Sequence, residues 1–155
     1  MALQKYISDT KTVNSDNKTV YERLSNLEFL NTMFGPENMA KAKEQMGDKA
    51  KEMDIQNFIA DQDTCSFDIK PIGTIAFHII EREESKLIKI ISNDEAKFDF
   101  TLWIQILPST DAQCNMRITL HIELNMMMKM MVGKKLDKGI NQIADAITRI
   151  PYGVI

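Results

Sequence analysis

The stretch Phe98–Leu124, FDFTLWIQILPSTDAQCNMRITLHIEL, decides the fold of this chain. Apolar residues alternate with mainly polar ones over Phe98–Ile106, and the same alternation returns over Cys114–Leu124. A period of two is typical of a β-strand with one buried face and one polar face. The polar segment Pro108–Ala112 between the two halves favours a turn. The stretch is therefore predicted to form an antiparallel pair of long strands.

A long amphipathic helix is predicted directly after this strand pair, over Met126–Arg149. Its apolar positions fall three or four residues apart and draw one stripe along a helix, at Val132, Leu136, Ile140, Ile143 and Ile147. A helix of about 24 residues spans about 36 Å, which matches strands of about 11 residues at about 3.3 Å each. We therefore expect one long helix to cover one strongly curved sheet.

The first third of the chain combines a strand with short helices. Residues 3–14 contain threonine, valine and isoleucine without proline or glycine, which favours an extended first strand. A helix is predicted to begin near Asn17, and a second short helix, over residues 27–34, ends at Gly35. The strongly charged segment 37–53 carries a further helical stripe of methionine and alanine. Two or three helices are therefore expected after strand one.

Two hairpins are predicted between these helices and the strand pair. The first pairs residues 55–60 with 65–69, and the second pairs 74–82 with 86–92, because each pair of apolar runs flanks a short polar turn. Consecutive strands joined by short turns imply an antiparallel meander, with the helices segregated to one side. The chain is therefore predicted to be α+β, with one strand, short helices, six strands and a long final helix.

Length and charge exclude several functional classes. At 155 residues the chain is expected to form one domain, residues 1–155. The formal net charge of −3 offers no basic excess for nucleic acid and no polybasic membrane anchor. No apolar run approaches the ~20 residues that span a bilayer, and the N-terminus lacks a secretory apolar segment. Cys65 and Cys114 show no disulfide or metal pattern, so we expect a cytoplasmic protein without stable membrane insertion.

Four segments together resemble a known superfamily. They are VYERLSNLEFL at residues 20–30, FDFTLWIQILP at 98–108, CNMRITLHIELN at 114–125 and INQIADAITRIPY at 140–152. In this order they resemble the START-like superfamily, which is also called SRPBCC or Bet v 1-like. The resemblance implies a helix-grip fold, in which a seven-stranded curved antiparallel sheet surrounds a long C-terminal helix and two or three short helices follow strand one. It covers nearly the whole chain and carries no invariant catalytic motif.

The resemblance implies a hollow between the sheet and the final helix that admits a hydrophobic small molecule or lipid. Members of the superfamily include lipid carriers, polyketide cyclases, plant hormone receptors and chaperone-activating domains. Ligand binding is therefore the leading hypothesis, and a cyclase-like or hydratase-like enzyme and a protein interaction module are the alternatives. The ligand and the oligomeric state are left open by the sequence.

The candidate ligand-binding residues are the apolar side chains that alternation and helical spacing turn toward this hollow. Taken singly, each of them is typical of ordinary core packing, and only the resemblance makes the set suggestive. The predicted set is Phe77, Ile88, Phe100, Leu102, Ile104, Met116, Leu120, Met128, Met131 and Val132.

Five methionines cluster at the start of the final helix, over Met126–Met131. Unbranched thioethers adapt to irregular shapes and recur at promiscuous binding surfaces, so the cluster is consistent with a pliable mouth of the hollow. It is equally consistent with a gap-filling core at the junction between strand and helix. With no histidine or cysteine beside the cluster, we predict no metal site there, and no cofactor is predicted for the chain.

Candidate catalytic residues are few. Histidine is the residue type that exchanges protons near neutral pH, and alternation places both His78 and His121 on the outward face of the sheet. No catalytic triad, phosphate-binding loop or metal-ligand spacing is present in the sequence. Trp103 falls on the same polar face, where either a partner or an adjacent element such as the segment 37–53 covers it. We therefore predict no catalytic residue.

Overall fold

One antiparallel sheet of eight strands and three helices make up the described part of the protein, a computed structural model covering residues 2–33, 54–70, 73–150 and 152. The strands are β1 Ala2–Ile7, β2 Lys11–Val13, β3 Asp54–Ala60, β4 Thr64–Lys70, β5 Gly73–Glu83, β6 Leu87–Ser92, β7 Phe100–Pro108 and β8 Cys114–Leu124. The helices are α1 Asn17–Leu24, α2 Phe29–Met33 and α3 Met126–Thr148. The helix predicted over 37–53 lies outside the described residues. Within these ranges no helix is both long and apolar enough to cross a membrane.

The strands form a meander to which the first two strands are added at one edge. The order across the sheet is β1-β8-β7-β6-β5-β4-β3, and β2 also pairs with β8. Every pairing is antiparallel. The six strands predicted after the short helices are confirmed as β3 to β8, and α3 lies against β8, β1 and β2. The predicted α+β class and helix-grip arrangement are therefore confirmed.

The predicted first strand, residues 3–14, is divided into β1 and β2 after Ile7. Ser8 is only 3% exposed, and its N–H donates to the Ile118 carbonyl oxygen at 2.9 Å. Its Oγ accepts a hydrogen bond from the Ile118 N–H, also at 2.9 Å. Because the side chain takes the place of a backbone acceptor, the ladder stops at Ile7 and resumes at Lys11. The sheet therefore has eight strands instead of the seven predicted.

Irregular pairing in β3 and β5 increases the curvature of the sheet. The register between β3 and β4 shifts between Gln56 and Ile59, and a second shift interrupts the pairing of β5 with β6. Asn57 lies in the first of these and has a φ of 56°, a region that asparagine tolerates better than most residues. Its Nδ2 donates to Asp68 Oδ2 at 2.8 Å. An extra residue in one strand bends it and strengthens its twist, which curves the sheet.

The first helix begins at Asn17, as predicted. Asp16 is its N-cap: Oδ2 accepts from the Thr19 N–H at 3.1 Å, and Oδ1 accepts from the Thr19 hydroxyl at 2.6 Å. These two hydrogen bonds favour the carboxylate and lower the pKa of Asp16. Val20 and Leu24 are buried, and α1 contacts β6 and β7. The helix therefore covers one end of the inward sheet face.

The final helix, α3, is packed mainly through its second half. Its N-cap is Asn125, whose Oδ1 accepts from the Met128 N–H at 2.8 Å. Ile140 and Ala144 are buried, at 2% and 0% exposure. The prediction that Ile143 shares this buried face is wrong, because its side chain is 50% exposed. Ile140 and Ala144 lie on one row of residues four apart, and Ile143 lies off that row.

Gly139 lies within α3 with open space around it, since a Cβ built there would meet no atom within 4 Å outside the local helix backbone. Gly139→Ala is expected to raise the free energy of unfolding by about 0.5–1 kcal/mol, because alanine loses less backbone entropy in a helix. Urea unfolding followed by circular dichroism measures the change. Gly133→Ala is the matched variant, with its Cβ placed 3.7 Å from Tyr6 Oη, an ordinary contact. A loss of stability in Gly139→Ala would contradict this helix placement.

Candidate ligand-binding site

The inward faces of β7 and β8 carry both fully buried and half-buried residues. Ile104 pairs with Ile118, and these side chains are 5% and 0% exposed. Two residues along each strand, Leu102 pairs with Leu120 on the same face, and both are only half-buried. Paired residues of an antiparallel ladder lie side by side on one face. Leu102 and Leu120 are therefore less covered than their neighbours Ile104 and Ile118, and burial resumes on β8 at Ile122, which is 7% exposed.

Phenylalanine rings extend this half-buried region across the sheet. Phe77 and Phe100 meet edge to face, with ring centroids 6.2 Å apart and an interplanar angle of 67°. Phe58 and Phe67 stack at 5.5 Å with an angle of 21°. Phe77 pairs with the buried Cys65, which places it on the inward face. All four rings are half-buried, and Phe58, Phe67 and Phe77 pack against the buried core.

The first half of α3 also carries half-buried apolar residues, and α3 contacts β8, β1 and β2. Met128, Val132 and Leu136 follow one another at four-residue intervals, so they form one row along the helix, and each is half-buried. We name the half-buried residues of the predicted ligand-binding set, on the sheet and on α3, the inner apolar surface. Its members are Phe77, Phe100, Leu102, Leu120, Met128 and Val132.

Tyr6 places a hydroxyl group between β1 and α3. It pairs with Leu120, which puts its ring on the inward face of the sheet. Its Oη would lie 3.7 Å from a Cβ built on Gly133. Burial, and secondly the charge of Asp137, raise the pKa of Tyr6. Within the described ranges the hydroxyl has no hydrogen-bond partner. In the sequence, Tyr6 shares one face of the predicted first strand with Gln4 and Ser8. That alternation does not show which strand pairs with it.

The predicted ligand-binding residues fall into three environments. Six of them form the inner apolar surface. Ile88, Ile104 and Met116 lie instead in the packed core, at 0%, 5% and 1% exposure. Met131 is 54% exposed and does not join the others. It lies off the inward row of α3, because only residues four apart from Met128 continue that row.

Four of the five clustered methionines point to solvent. Met126, Met127, Met130 and Met131 are 81%, 70%, 82% and 54% exposed. The interpretation of the cluster as a gap-filling core is therefore wrong for these four. Met128 alone among the five is half-buried.

The convex face of the sheet carries both histidines, as predicted. His78 pairs with Ile91, and its Nδ1 is hydrogen-bonded to Asn93 Oδ1. His121 packs edge to face against Trp103, with centroids 4.6 Å apart, and Lys89 Nζ lies 5.6 Å from the centre of the indole ring. Neighbours on the sheet itself thus cover part of Trp103. In the part of the chain that the structure describes, no group of three or more His, Cys, Asp or Glu side chains is arranged to hold a metal ion.

Both cysteines are free and buried in the sheet. Cys65 is 1% exposed and Cys114 is 0% exposed. Burial, and secondly the charge of Asp61, raise the pKa of the Cys65 thiol to about 12. Burial also raises the pKa of Cys114. The folded protein therefore keeps both thiols protonated and out of reach of solvent reagents.

The raised pKa of Cys65 makes the protein less stable at alkaline pH. Its contribution is fully present below pH 9, the ordinary pKa of the thiol, and is lost as the pH rises toward 12, because only the unfolded chain then releases the proton. The free energy of unfolding should fall by about 1.4 kcal/mol per pH unit in this range. Urea unfolding of wild type and Cys65→Ala at several pH values measures the slopes. The variant is expected to have the shallower slope, and equal slopes would contradict the assignment.

Comparison with solved structures identifies the fold. Norcoclaurine synthase from Thalictrum flavum, in complex with dopamine and hydroxybenzaldehyde, matches with a TM-score of 0.60 at 11% identity, over 99% of this chain and 89% of that chain. A START superfamily protein from Mycobacterium smegmatis matches with a TM-score of 0.50 at 14% identity, over 91% and 98%. A conserved protein from Geobacillus kaustophilus matches with a TM-score of 0.60 at 11% identity, over 94% and 93%. No protein-family model and no curated protein matches the sequence.

Proposed function

On the premise of the START-like fold that these structures share with the chain, we propose that the protein binds a hydrophobic small molecule or lipid in a hollow between the sheet and the first half of α3. The observation that supports this best is the half-burial of Leu102 and Leu120, which point inward beside fully packed residues. A core that filled the space would bury them as completely as Ile104 and Ile118, because protein interiors are close-packed.

The inner apolar surface supplies the binding energy in this proposal. Removing 100 Å² of apolar surface from water contributes roughly 2.5 kcal/mol. Association costs roughly 4–15 kcal/mol of translational and rotational freedom, so burial of about 200–600 Å² is needed before binding becomes favourable. The proposed ligand is therefore an acyl chain or a ring system of that size.

Tyr6 gives the proposed site one polar contact. Its hydroxyl lies on the inward face between β1 and α3 and has no hydrogen-bond partner among the described residues. A few polar groups in an apolar pocket typically fix the orientation of a ligand. The ligand is accordingly proposed to carry one hydroxyl, carbonyl or carboxylate end that meets Tyr6.

The two alternative functions receive less support. A cyclase-like or hydratase-like enzyme needs an inward acid or base, whereas His78 and His121 lie on the convex face. The Tyr6 hydroxyl faces inward, but burial moves its pKa further above neutrality. An interaction module built around Trp103 needs an open indole face, and Lys89 and His121 already contact that ring.

Titration with the uncharged fluorophore N-phenyl-1-naphthylamine tests the proposal. We expect saturable binding of one probe per chain with a blue-shifted emission, because the probe enters an apolar site. Mass spectrometry of an organic extract of the purified protein is the companion measurement and is expected to detect a co-purified apolar compound. Probe binding that fails to saturate, together with an empty extract, would contradict ligand binding.

A further inference from the structure

The helix α3 begins with an apolar surface that faces solvent. Met126, Met127, Met130 and Met131 are the exposed methionines, all more than half accessible. Residues four apart on a helix lie one above the other, so Met126 and Met130 form one row and Met127 and Met131 form the next. A contiguous group of large exposed apolar side chains commonly marks an interaction site. We name these four side chains the methionine tip.

Lysines continue both rows of the methionine tip. Lys134 and Lys138 follow Met130 at four-residue intervals, and Lys135 follows Met131 in the same way. All three lysines are exposed. The outer face of α3 therefore passes from two apolar turns to two cationic turns.

The charge of this segment is opposite in sign to that of the whole chain. Between Met126 and Lys138 there are four lysines and one acidic residue, Asp137, in a chain of formal net charge −3. The positive end of the helix dipole adds to this charge at the α3 N-terminus. An anionic surface is therefore attracted to this end of the helix, whereas the net charge of the whole molecule opposes its approach elsewhere.

We propose that the methionine tip docks reversibly on an anionic lipid membrane, with the N-terminus of α3 entering first. The tip extends about 8 Å along the helix, which matches the roughly 5–10 Å to which interfacial apolar side chains sink. Lys134, Lys135 and Lys138 begin about one turn further along and meet the lipid phosphates, and the exposed Lys129 lies beside the tip. Unbranched methionine side chains adapt to a fluid surface that has no fixed shape. Docking needs no ligand between sheet and helix, so it stands independently of the proposed binding function.

A second copy of the chain fits this surface less well. A symmetric dimer built on the tip would bring the same patch of both copies together. Lys134 and Lys135 would then approach their own equivalents, and like charges repel. An acidic protein partner would complement the positive charge of the lysines, but it would also need an apolar groove that fits the methionines. Binding of such a partner is therefore one outcome of the test.

A fluorescent label at the tip tests the proposal directly. In Met130→Cys the new thiol is the accessible one, because Cys65 and Cys114 are buried, so it takes an environment-sensitive nitrobenzoxadiazole label selectively. Mixed vesicles of phosphatidylcholine and phosphatidylglycerol are expected to shift its emission to the blue and to increase it. Vesicles of phosphatidylcholine alone should give a much smaller change, and added NaCl should reverse the effect.

Matched variants distinguish binding through the methionine tip from nonspecific adsorption to vesicles. Leu107→Cys is the control label: Leu107 is 60% exposed and pairs with Asn115 near the start of β8, whereas α3 begins after the end of that strand. Its label should not respond to vesicles. Lys134→Glu combined with Lys138→Glu should lower the vesicle partition coefficient of the tip-labelled protein by about ten-fold or more, given about 1 kcal/mol per basic residue.

Three results would overturn the proposal. The first is an absent response to anionic vesicles, and the second is an equal response from the label at Leu107→Cys. The third is a protein that does not bind vesicles but binds a poly-glutamate peptide or self-associates in analytical ultracentrifugation. In that case Met130→Asp would abolish the peptide binding or the self-association. That result would assign the methionine tip to a protein partner.

Discussion

Ile118→Ala is expected to lower the free energy of unfolding by about 3–4 kcal/mol, whereas Leu120→Ala should lower it by only about 1 kcal/mol. The two residues lie on the same inward face of β8, and Ile118 is 0% exposed and pairs with Ile104. Truncating Ile118 removes buried methyl groups and leaves a cavity that the neighbouring strands cannot close. Leu120 is half-buried, so its truncation loses less transfer energy and adds to space that is already open.

Urea unfolding followed by circular dichroism provides both values from the same instrument and buffer. The difference matters more than either number, because the two variants share a strand, a face and a truncation to alanine. Domains are stabilised by only about 5–15 kcal/mol, so the loss at Ile118 should shift the urea midpoint visibly. Equal losses at the two positions would mean that the interior is packed throughout, and the proposed hollow would then be rejected.

Local periodicity explains why most of the fold was predictable. The alternation that predicted strands over Phe98–Ile106 and Cys114–Leu124 is repeated in β7 and β8 with shifts of at most two residues at each end. The last helix was predicted to end at Arg149 and ends at Thr148. These elements depend on patterns of two or 3.6 residues, which the sequence carries directly.

The division of the first strand depends on a contact that no local pattern contains. Ser8 interrupts the ladder because its Oγ accepts from the Ile118 N–H, a residue 110 positions away. The same limit applies to Tyr6, whose role follows from its pairing with Leu120. Sequence alternation assigned these residues to a strand, but only the strand order placed them next to α3.

The candidate site was predicted in part, because helical spacing does not show how a helix crosses a curved sheet. The predicted stripe included Ile143 and the predicted ligand-binding set included Met131, and both side chains are at least half exposed. In the structure the inward row is Met128–Leu136 in the first half, and Ile140 and Ala144 are the buried residues of the second half. These residues follow one another at four-residue intervals along α3, and the exposed methionines lie off that row.

The two halves of α3 accordingly have different surroundings. Asn141 Oδ1 accepts from the Asp9 N–H at 2.8 Å, and Asp145 pairs with Lys11 at 3.1 Å, so the second half is tied to the β1–β2 edge. The Tyr152 hydroxyl donates to the Ile147 carbonyl oxygen at 2.8 Å and holds the helix end. Among the described residues of the first half, Met128, Val132 and Leu136 are half-buried. Ligand binding and membrane docking are both proposed there, on opposite faces.

Leu102→Trp is expected to weaken binding of N-phenyl-1-naphthylamine by about ten-fold or more, a loss of at least about 1.4 kcal/mol. Leu102 pairs with Ile90 on one side and with Leu120 on the other, which places it on the inward face in the middle of the sheet. An indole ring at this position extends into the proposed hollow and occupies the space of the ligand. If that space is open, the fold should keep its stability within about 1 kcal/mol, since overpacking costs about 1–3 kcal/mol only where the core is already full.

Leu107→Trp is the matched control on the same strand, because Leu107 is 60% exposed and lies on the other face of β7. It should leave both probe affinity and stability unchanged. Met130→Asp should also leave probe affinity unchanged, since Met130 lies on the outer face of α3.

Unchanged probe binding in Leu102→Trp would exclude the hollow as the binding site, and loss of binding in Met130→Asp instead would place the probe on the methionine tip. Weak binding together with a loss of stability above about 3 kcal/mol in Leu102→Trp would show that the ring has no open space to enter.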